Sequence, residues 1–321
     1  MSITKSESNF YKKNGYLIKD QLISKKDINK LNTLINKIVT KEKNSRRKVK
    51  DQGGTQSYDN YHFVFNSNSS KNKEILRIAG KLASETLDML TDEVKDGVTT
   101  DRIDQLGYEF IRDNGGHSAP LYYRGFKKSL CTSLNHVVCH GIPSDRILNE
   151  GDAVNIDVTA IVNEYYGDTS RMFTIGEIPV KAKNLIDTTY ESMMKGIAIL
   201  KPGVKLGDIG YEIQSFVEER GFSVVRDFCG HGISNTFHEQ PNILHYGKKN
   251  TGHELTPGMT FTIEPMINVG KLDVKVLNDG WTAVTKDKSL SAQFEHTIGI
   301  TEDSYEIFTE SVKGYKRPPY N

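Results

Sequence analysis

Residues 154–173 read VNIDVTAIVNEYYGDTSRMF. Asn155, Asp157 and Thr159 alternate with Ile156, Val158 and Ala160, which gives one polar and one apolar face at the period of a strand. A turn over residues 163–167 and a second strand returning through Asp168 make a hairpin, and such a hairpin brings Asp157 and Asp168 to one face. Two charged carboxylates facing each other in a sheet interior repel, and burying both unpaired is costly. A cation between them is therefore expected. On this stretch alone the alternative is a solvated hairpin with two surface acids, because Asp is seldom buried unpaired.

An internal repeat separates the two readings. Residues 94–115 read VKDGVTTDRIDQLGYEFIRDNG, and residues 200–221 read LKPGVKLGDIGYEIQSFVEERG. At one constant offset Lys95 meets Lys201, Gly97 meets Gly203, Ile103 meets Ile209, Phe110 meets Phe216 and Gly115 meets Gly221. Each copy reads as a loop entering an amphipathic helix that Gly terminates. Downstream, EGDAVNIDV aligns with TPGMTFTIEP, so that Asp157 falls on Glu264. In SAQFEHT, Gln293, Glu295 and Thr297 share the face of an expected strand, which offers a counterpart to Asp168. Two related half-domains with acids in corresponding places imply a site on a pseudo-twofold axis. Four carboxylates converging there favour a metal site over four surface acids.

The chain has 321 residues, 36% hydrophobic, and a net charge of +1. That charge is unevenly spread. Residues 1–70 carry 14 Lys/Arg against 6 Asp/Glu, a net +8, so the remainder carries −7. Basic density peaks in KEKNSRRKVK at residues 41–50, and the break falls near NSNSSKN at 66–72. We expect residues 1–70 to be a basic, partly helical extension, with Ile28, Leu31, Leu34, Ile35 and Ile38 at helical spacing, and residues 71–321 to be the main domain, which holds the paired acids. No apolar run has the length of a membrane span. The N-terminus lacks the apolar segment of a signal peptide. Cys131, Cys139 and Cys229 form no CxxC pair. A cytoplasmic location with no membrane partner is expected.

Helical spacing predicts a long helix over residues 72–94 and another over 182–200, besides the two repeat helices. The last third reads as strand-rich. Helices and antiparallel strands in duplicate argue for an α+β fold, with helices covering one face of a curved sheet.

The motifs NIDVT, GDTS, CGHGI, TFHEQP, FTIEPM and SAQFEHT, with CHGIP and DGWTAVT beside them, stand in the order found in type I methionine aminopeptidases, which the chain resembles over roughly residues 72–301. The resemblance implies the "pita-bread" fold with its pseudo-twofold. It also implies hydrolytic removal of the initiator methionine from nascent polypeptides with a small second residue, by a bridging hydroxide on two divalent metal ions. By motif position Asp157, Asp168, His231, Glu264 and Glu295 are the five ligands, with Asp168 and Glu295 bridging. One imidazole among four carboxylates is a hard donor set that suits Mn, Fe or Co, with Zn less distinctive.

The resemblance further gives His238 a contact with the scissile carbonyl, His140 a contact near the peptide nitrogen, and Glu264 a second role as proton shuttle. Tyr123, Phe126, Cys131, Phe237 and Trp281 match the methionine pocket, whose aromatic lining suits a thioether. Pro120 and Lys127 stand where many bacterial members have Cys and Pro. The family also has a monovalent-cation site, which falls here near Asn135, Val137 and Ser291. The basic extension has the charge to meet ribosomal phosphate without sequence-specific nucleic-acid recognition. Two other readings share the fold: an X-Pro aminopeptidase, and a non-catalytic ribosome- or RNA-binding protein. Relatives of the second kind lose ligands, and this chain keeps all five.

Overall fold

The computed structural model describes residues 70–320, apart from Tyr122. The basic extension, with its expected helix, lies outside the described residues. Four helices follow in order: α1 Ser70–Leu90, α2 Thr100–Asp113, α3 Val180–Ala198 and α4 Leu206–Glu218. The strands are β1 His117–Ser118, β2 Cys131–Leu134, β3 Val137–Cys139, β4 Ala153–Val162, β5 Tyr165–Thr174, β6 Ser223–Val224, β7 Gly230–Gly232 and β8 Glu239–Ile243. After them come β9 Thr260–Ile263, β10 Met266–Asn268, β11 Val274–Val276, β12 Ala283–Thr285, β13 Ser291–Gln293, β14 His296–Ile300 and β15 Tyr305–Ile307.

Among the described residues all the strand pairings are antiparallel. In one half β4 pairs with β1, β2 and β5, and in the other the order is β15-β14-β9-β7-β8. Two three-stranded sheets, β13-β10-β6 and β11-β12-β3, complete the set. Each half has its own core. Ile103 and Ile111 of α2 pack with Leu82 and Leu87 of α1 against Ile156, Val158 and Ala160 of β4. Ile209 and Ile213 of α4 pack with Ile186 and Ile197 of α3 against Phe261, Ile263 and Ile298. The two halves follow the duplicated plan that the repeat implies, as expected of the "pita-bread" fold that the resemblance implies.

The repeat extends to individual hydrogen bonds. Gly97 N donates to Leu148 O (2.9 Å) and Leu148 N to Val98 O (2.8 Å). In the second half Gly203 N donates to Leu255 O (3.0 Å) and Leu255 N to Val204 O (2.7 Å). Gly97 and Gly203 both take positive φ, +82° and +92°, where a side chain would be strained, which is why glycine recurs there.

The central hairpin is longer and tighter than its sequence suggests. Tyr165, Tyr166 and Gly167 belong to β5, and the turn is Asn163 and Glu164 alone. Both residues sit in the left-handed region (φ 47° and 70°) that a two-residue hairpin turn requires. The helix expected over 72–94 stops at Leu90, because the amides of Glu93 and Val94 both close back on the Leu90 carbonyl. The stretch holding Gln293, Glu295 and Thr297 is not one strand. It changes partner at Phe294 and Glu295, leaving β10 and joining β9. Between the two, Glu295 N donates to Ser170 O (3.1 Å) and ties this stretch to β5.

Candidate active site

The polar face of the hairpin is interior, which excludes the solvated alternative. Asn155 and Thr159 are each 2% exposed and Asp168 is 4%. Asp157 sits opposite Ser170 and Asp168 opposite Thr159, so the two acids are diagonal neighbours on one face. Glu264 follows β9, Glu295 sits at the β13–β14 exchange, and His231 is the central residue of β7. All five line one cavity of about 350 Å³. Within it Asp168, His231 and Glu295 each place a ligand atom within 4.8 Å of the others. His231 Nε2 lies 3.7 Å from both Asp168 Oδ2 and Glu264 Oε1.

The surroundings fix these side chains. Thr159 Oγ1 donates to Asp168 Oδ1 (2.7 Å) and Thr262 Oγ1 to Glu264 Oε1 (2.8 Å). Gln293 Nε2 donates to Glu264 Oε2 (3.3 Å). The amide of Glu264 donates to the buried His245 Nε2 (3.1 Å). His231 Nδ1 meets the Gly232 carbonyl at 3.1 Å; a proton there leaves Nε2 with its lone pair toward the acids.

Burial sets the electrostatics. It pushes the Asp157 carboxyl up to about 7 and Glu264 up to about 8. Asp168 and Glu295 are raised well above the usual carboxylate range, first by burial and then by neighbouring acids. Burial holds His231 down at about 4 and His238 at about 3, so both imidazoles are neutral at pH 7. Four carboxylates this crowded hold protons unless cations take their place. With one neutral imidazole they form a hard, oxygen-rich donor set that fits divalent cations.

Tyr123, Phe126, Cys131, His140, Phe237, His238 and Trp281 line the same cavity. The rings form two walls. Phe126 packs edge-on to Trp281 (5.2 Å between centroids), which meets His140 (6.1 Å), and His140 meets Phe228 (5.6 Å). In the other group Tyr123 stacks on His238 (5.3 Å) and packs edge-on to Phe237 (5.0 Å). Cys131 is buried opposite Asp157, and burial pushes its thiol up. Pro120 is at the cavity edge, whereas Lys127 is exposed and lines none of it.

Sequence reasoning did not identify Thr262 and His245, which hold Glu264, or Asp227, Phe228, Cys229 and Met266, which share the cavity. A signal for Thr262 is present in the strand period, since it lies two residues from Glu264. Nothing local marks His245.

The chain matches metallopeptidase family M24 over residues 74–302. It is 58% identical over 246 residues to the methionine aminopeptidase of Rickettsia prowazekii, covering 76% of this chain and 95% of that protein. It is 50% identical over 238 residues to the Escherichia coli K12 methionine aminopeptidase, covering 74% of this chain and 90% of that one. The crystal structure of the Rickettsia prowazekii enzyme superposes with a TM-score of 0.74 at 57% identity, over 74% of this chain and 97% of that one. A prolidase from Pyrococcus furiosus, 22% identical, shares the fold with a TM-score of 0.60 over 75% of this chain and 64% of its own.

Proposed function

The chain belongs to metallopeptidase family M24 and removes N-terminal methionine from polypeptides as a metal-dependent exopeptidase, and we propose that five of its residues do so around two divalent ions. Asp168, Glu295, Asp157, His231 and Glu264 would hold the ions, with Asp168 and Glu295 placed to be shared between them. The observation that carries this reading is the convergence of Asp168, His231 and Glu295 within 4.8 Å on segments from both halves of the duplicated fold. When bound, the ions supply Lewis acidity and an acidified water nucleophile. Mn, Fe, Co and Zn all suit the donor set.

The chain's own groups then divide the work. Glu264, held on both oxygens by Thr262 and Gln293, takes the proton of the attacking water. His238, kept neutral by burial, donates its N–H to the developing oxyanion. His140 on the facing wall meets the peptide nitrogen. Tyr123, Phe126, Cys131, Phe237 and Trp281 receive the methionine side chain, and the second residue is a small one. A monovalent cation would be held near Asn135, Val137 and Ser291, two segments that the bond from Ser291 N to Asn135 O (2.8 Å) keeps side by side.

Residues 71–321 form the catalytic domain on this reading, since the family match begins at residue 74. Residues 1–70 dock it at the ribosome by charge, in the cytoplasm where nascent chains emerge. Among the described residues no helix is long and apolar enough to cross a membrane.

Paired variants test the assignment. Asp168→Ala and Glu295→Ala should lose bound metal and fall in turnover by orders of magnitude. His238→Ala should keep its metal while kcat falls about 10²–10³-fold. Near wild-type turnover of Asp168→Ala at saturating metal contradicts the bridging role, and metal loss in His238→Ala makes that residue a ligand.

A further inference from the structure

Residues 123–125 form a single tight turn at the mouth of the cavity, framed by Tyr123 N donating to Pro120 O (2.8 Å) and Phe126 N to Tyr123 O (3.0 Å). Its middle residue, Arg124, is held at φ 48° and ψ 29°. That is the left-handed region, which a long side chain adopts at a cost and which Gly or Asn takes more readily. An outlier of this kind beside a substrate cavity asks for a functional reason.

The turn aims its side chains in different directions. Tyr123 and Phe126 join the aromatic walls, while Arg124 stays exposed at the rim with its guanidinium 5.2 Å over the Tyr123 ring. Among the described residues no carboxylate lies within ion-pair range of Arg124. Apart from the five acids and histidines assigned to metal and the two assigned to substrate, the charged groups lining the cavity are Arg124 and Asp227. Asp227 adjoins Phe228, on the wall that carries His140. The cation therefore stands on the His238 wall and the anion on the other.

We propose that Arg124 is a specificity-determining residue that favours substrates with a carboxylate on the third residue. The proposal rests on the assignment of His238 to the scissile carbonyl and of the methionine pocket to Tyr123 and Phe126. Arg124 sits over the Tyr123 ring and Tyr123 stacks on His238, so the guanidinium is within about 11 Å of the His238 ring, a reach that includes residue three, about 7 Å of extended chain beyond residue one. In an extended chain successive side chains point to opposite sides, so residues one and three share a side. The turn that walls the pocket for residue one thus offers its rim cation to residue three. Residue two points away and is restricted by size, which makes residue three the first position whose charge can be read. Both partners are exposed, so the preference is modest and depends on salt.

The test uses the full-length protein with saturating Mn²⁺ and the amidated peptides Met-Ala-Asp-Gly-Gly, Met-Ala-Asn-Gly-Gly and Met-Ala-Lys-Gly-Gly, so that no terminal carboxylate competes. The wild type should show an Asp:Lys ratio of kcat/KM of about 2–5 at low ionic strength, the range of exposed ion pairs, falling toward one in high salt. Arg124→Asn, whose new residue accepts the left-handed backbone, should bring the ratio to about one. Arg124→Lys should keep the preference, because charge rather than planarity carries it, and Arg124→Glu should invert it. Methionine release with the same ratio in wild type and Arg124→Asn overturns the assignment of Arg124 alone. No methionine release from any of the three peptides by the wild type overturns the functional reading beneath it.

Discussion

The hairpin that carries two of the proposed ligands is anchored to α1 by a buried ion pair, and removing one partner should unfold the enzyme at markedly lower temperature. Arg171 on β5 lies three residues from Asp168, and its Nη2 donates to Asp88 Oδ1 at 2.6 Å, with the two side chains 5% and 4% exposed. Asp88 is also the acceptor for Ser311 Oγ on Oδ1 (2.8 Å) and for Lys313 N on Oδ2 (3.2 Å). Arg171 Nη2 has one further partner, the Ser84 carbonyl at 3.1 Å.

Asp88→Ala therefore strands a buried guanidinium and frees two donors that hold the C-terminal segment. Breaking a buried pair from one side costs about 3–5 kcal/mol. For a domain of this size each kcal/mol moves the melting temperature by about 2–4 °C, so a fall of about 6–20 °C is expected. Urea unfolding of Asp88→Ala, Arg171→Met and the double variant Asp88→Ala/Arg171→Met measures the effect and its coupling. The double variant should be less destabilised than the two single changes together, since it leaves neither charge buried alone. A loss under about 1 kcal/mol in Asp88→Ala, or strict additivity in the double variant, refutes the reasoning.

Two further outcomes follow from other parts of the chain. A Cβ at Gly167 would run into the backbone of Ala79 and Gly80 where β5 crosses α1, so Gly167→Ala should lower the urea midpoint by the equivalent of about 1–3 kcal/mol, and an unchanged midpoint shows that the crossing can relax. Deleting residues 1–65 should leave kcat/KM on a short peptide within a few-fold and weaken low-salt co-sedimentation with ribosomes, because charge-driven attraction is lost with the cations that supply it. Equal ribosome binding by both forms removes the docking role, and loss of peptide activity moves the domain boundary upstream.

What the sequence reveals here follows from its periodicities. The alternation of Asn155, Asp157 and Thr159 is a strand whose polar face is turned inward by the cores on its other side, and the period marks the face but not its burial. The duplicated glycines are legible because positive φ restricts the residue, and Gly97 and Gly203 recur for that reason. The exchange at Phe294 and Glu295 is not legible, since the same alternating pattern serves one strand or two. It is a tertiary event, made by the bond from Glu295 to Ser170 of the other half. The proposed ligands sit in motifs, and the four acids among them in the repeat as well, so they stand out in the sequence. His245 reaches Glu264 across 19 positions and leaves no local trace. Arg124 shows in the sequence only as one more basic residue, and its meaning comes from the backbone angle and the ring beneath it.

The most direct test of the central claim is methionine release by the full-length protein, stripped with a chelator and titrated with Mn²⁺, on Met-Ala-Ser beside Ala-Pro-Ala. No release is expected before metal is added, with recovery as divalent ions approach two per chain and cleavage of Met-Ala-Ser alone. Cleavage of Ala-Pro-Ala in preference to Met-Ala-Ser, or methionine release that persists in the metal-free protein, contradicts it.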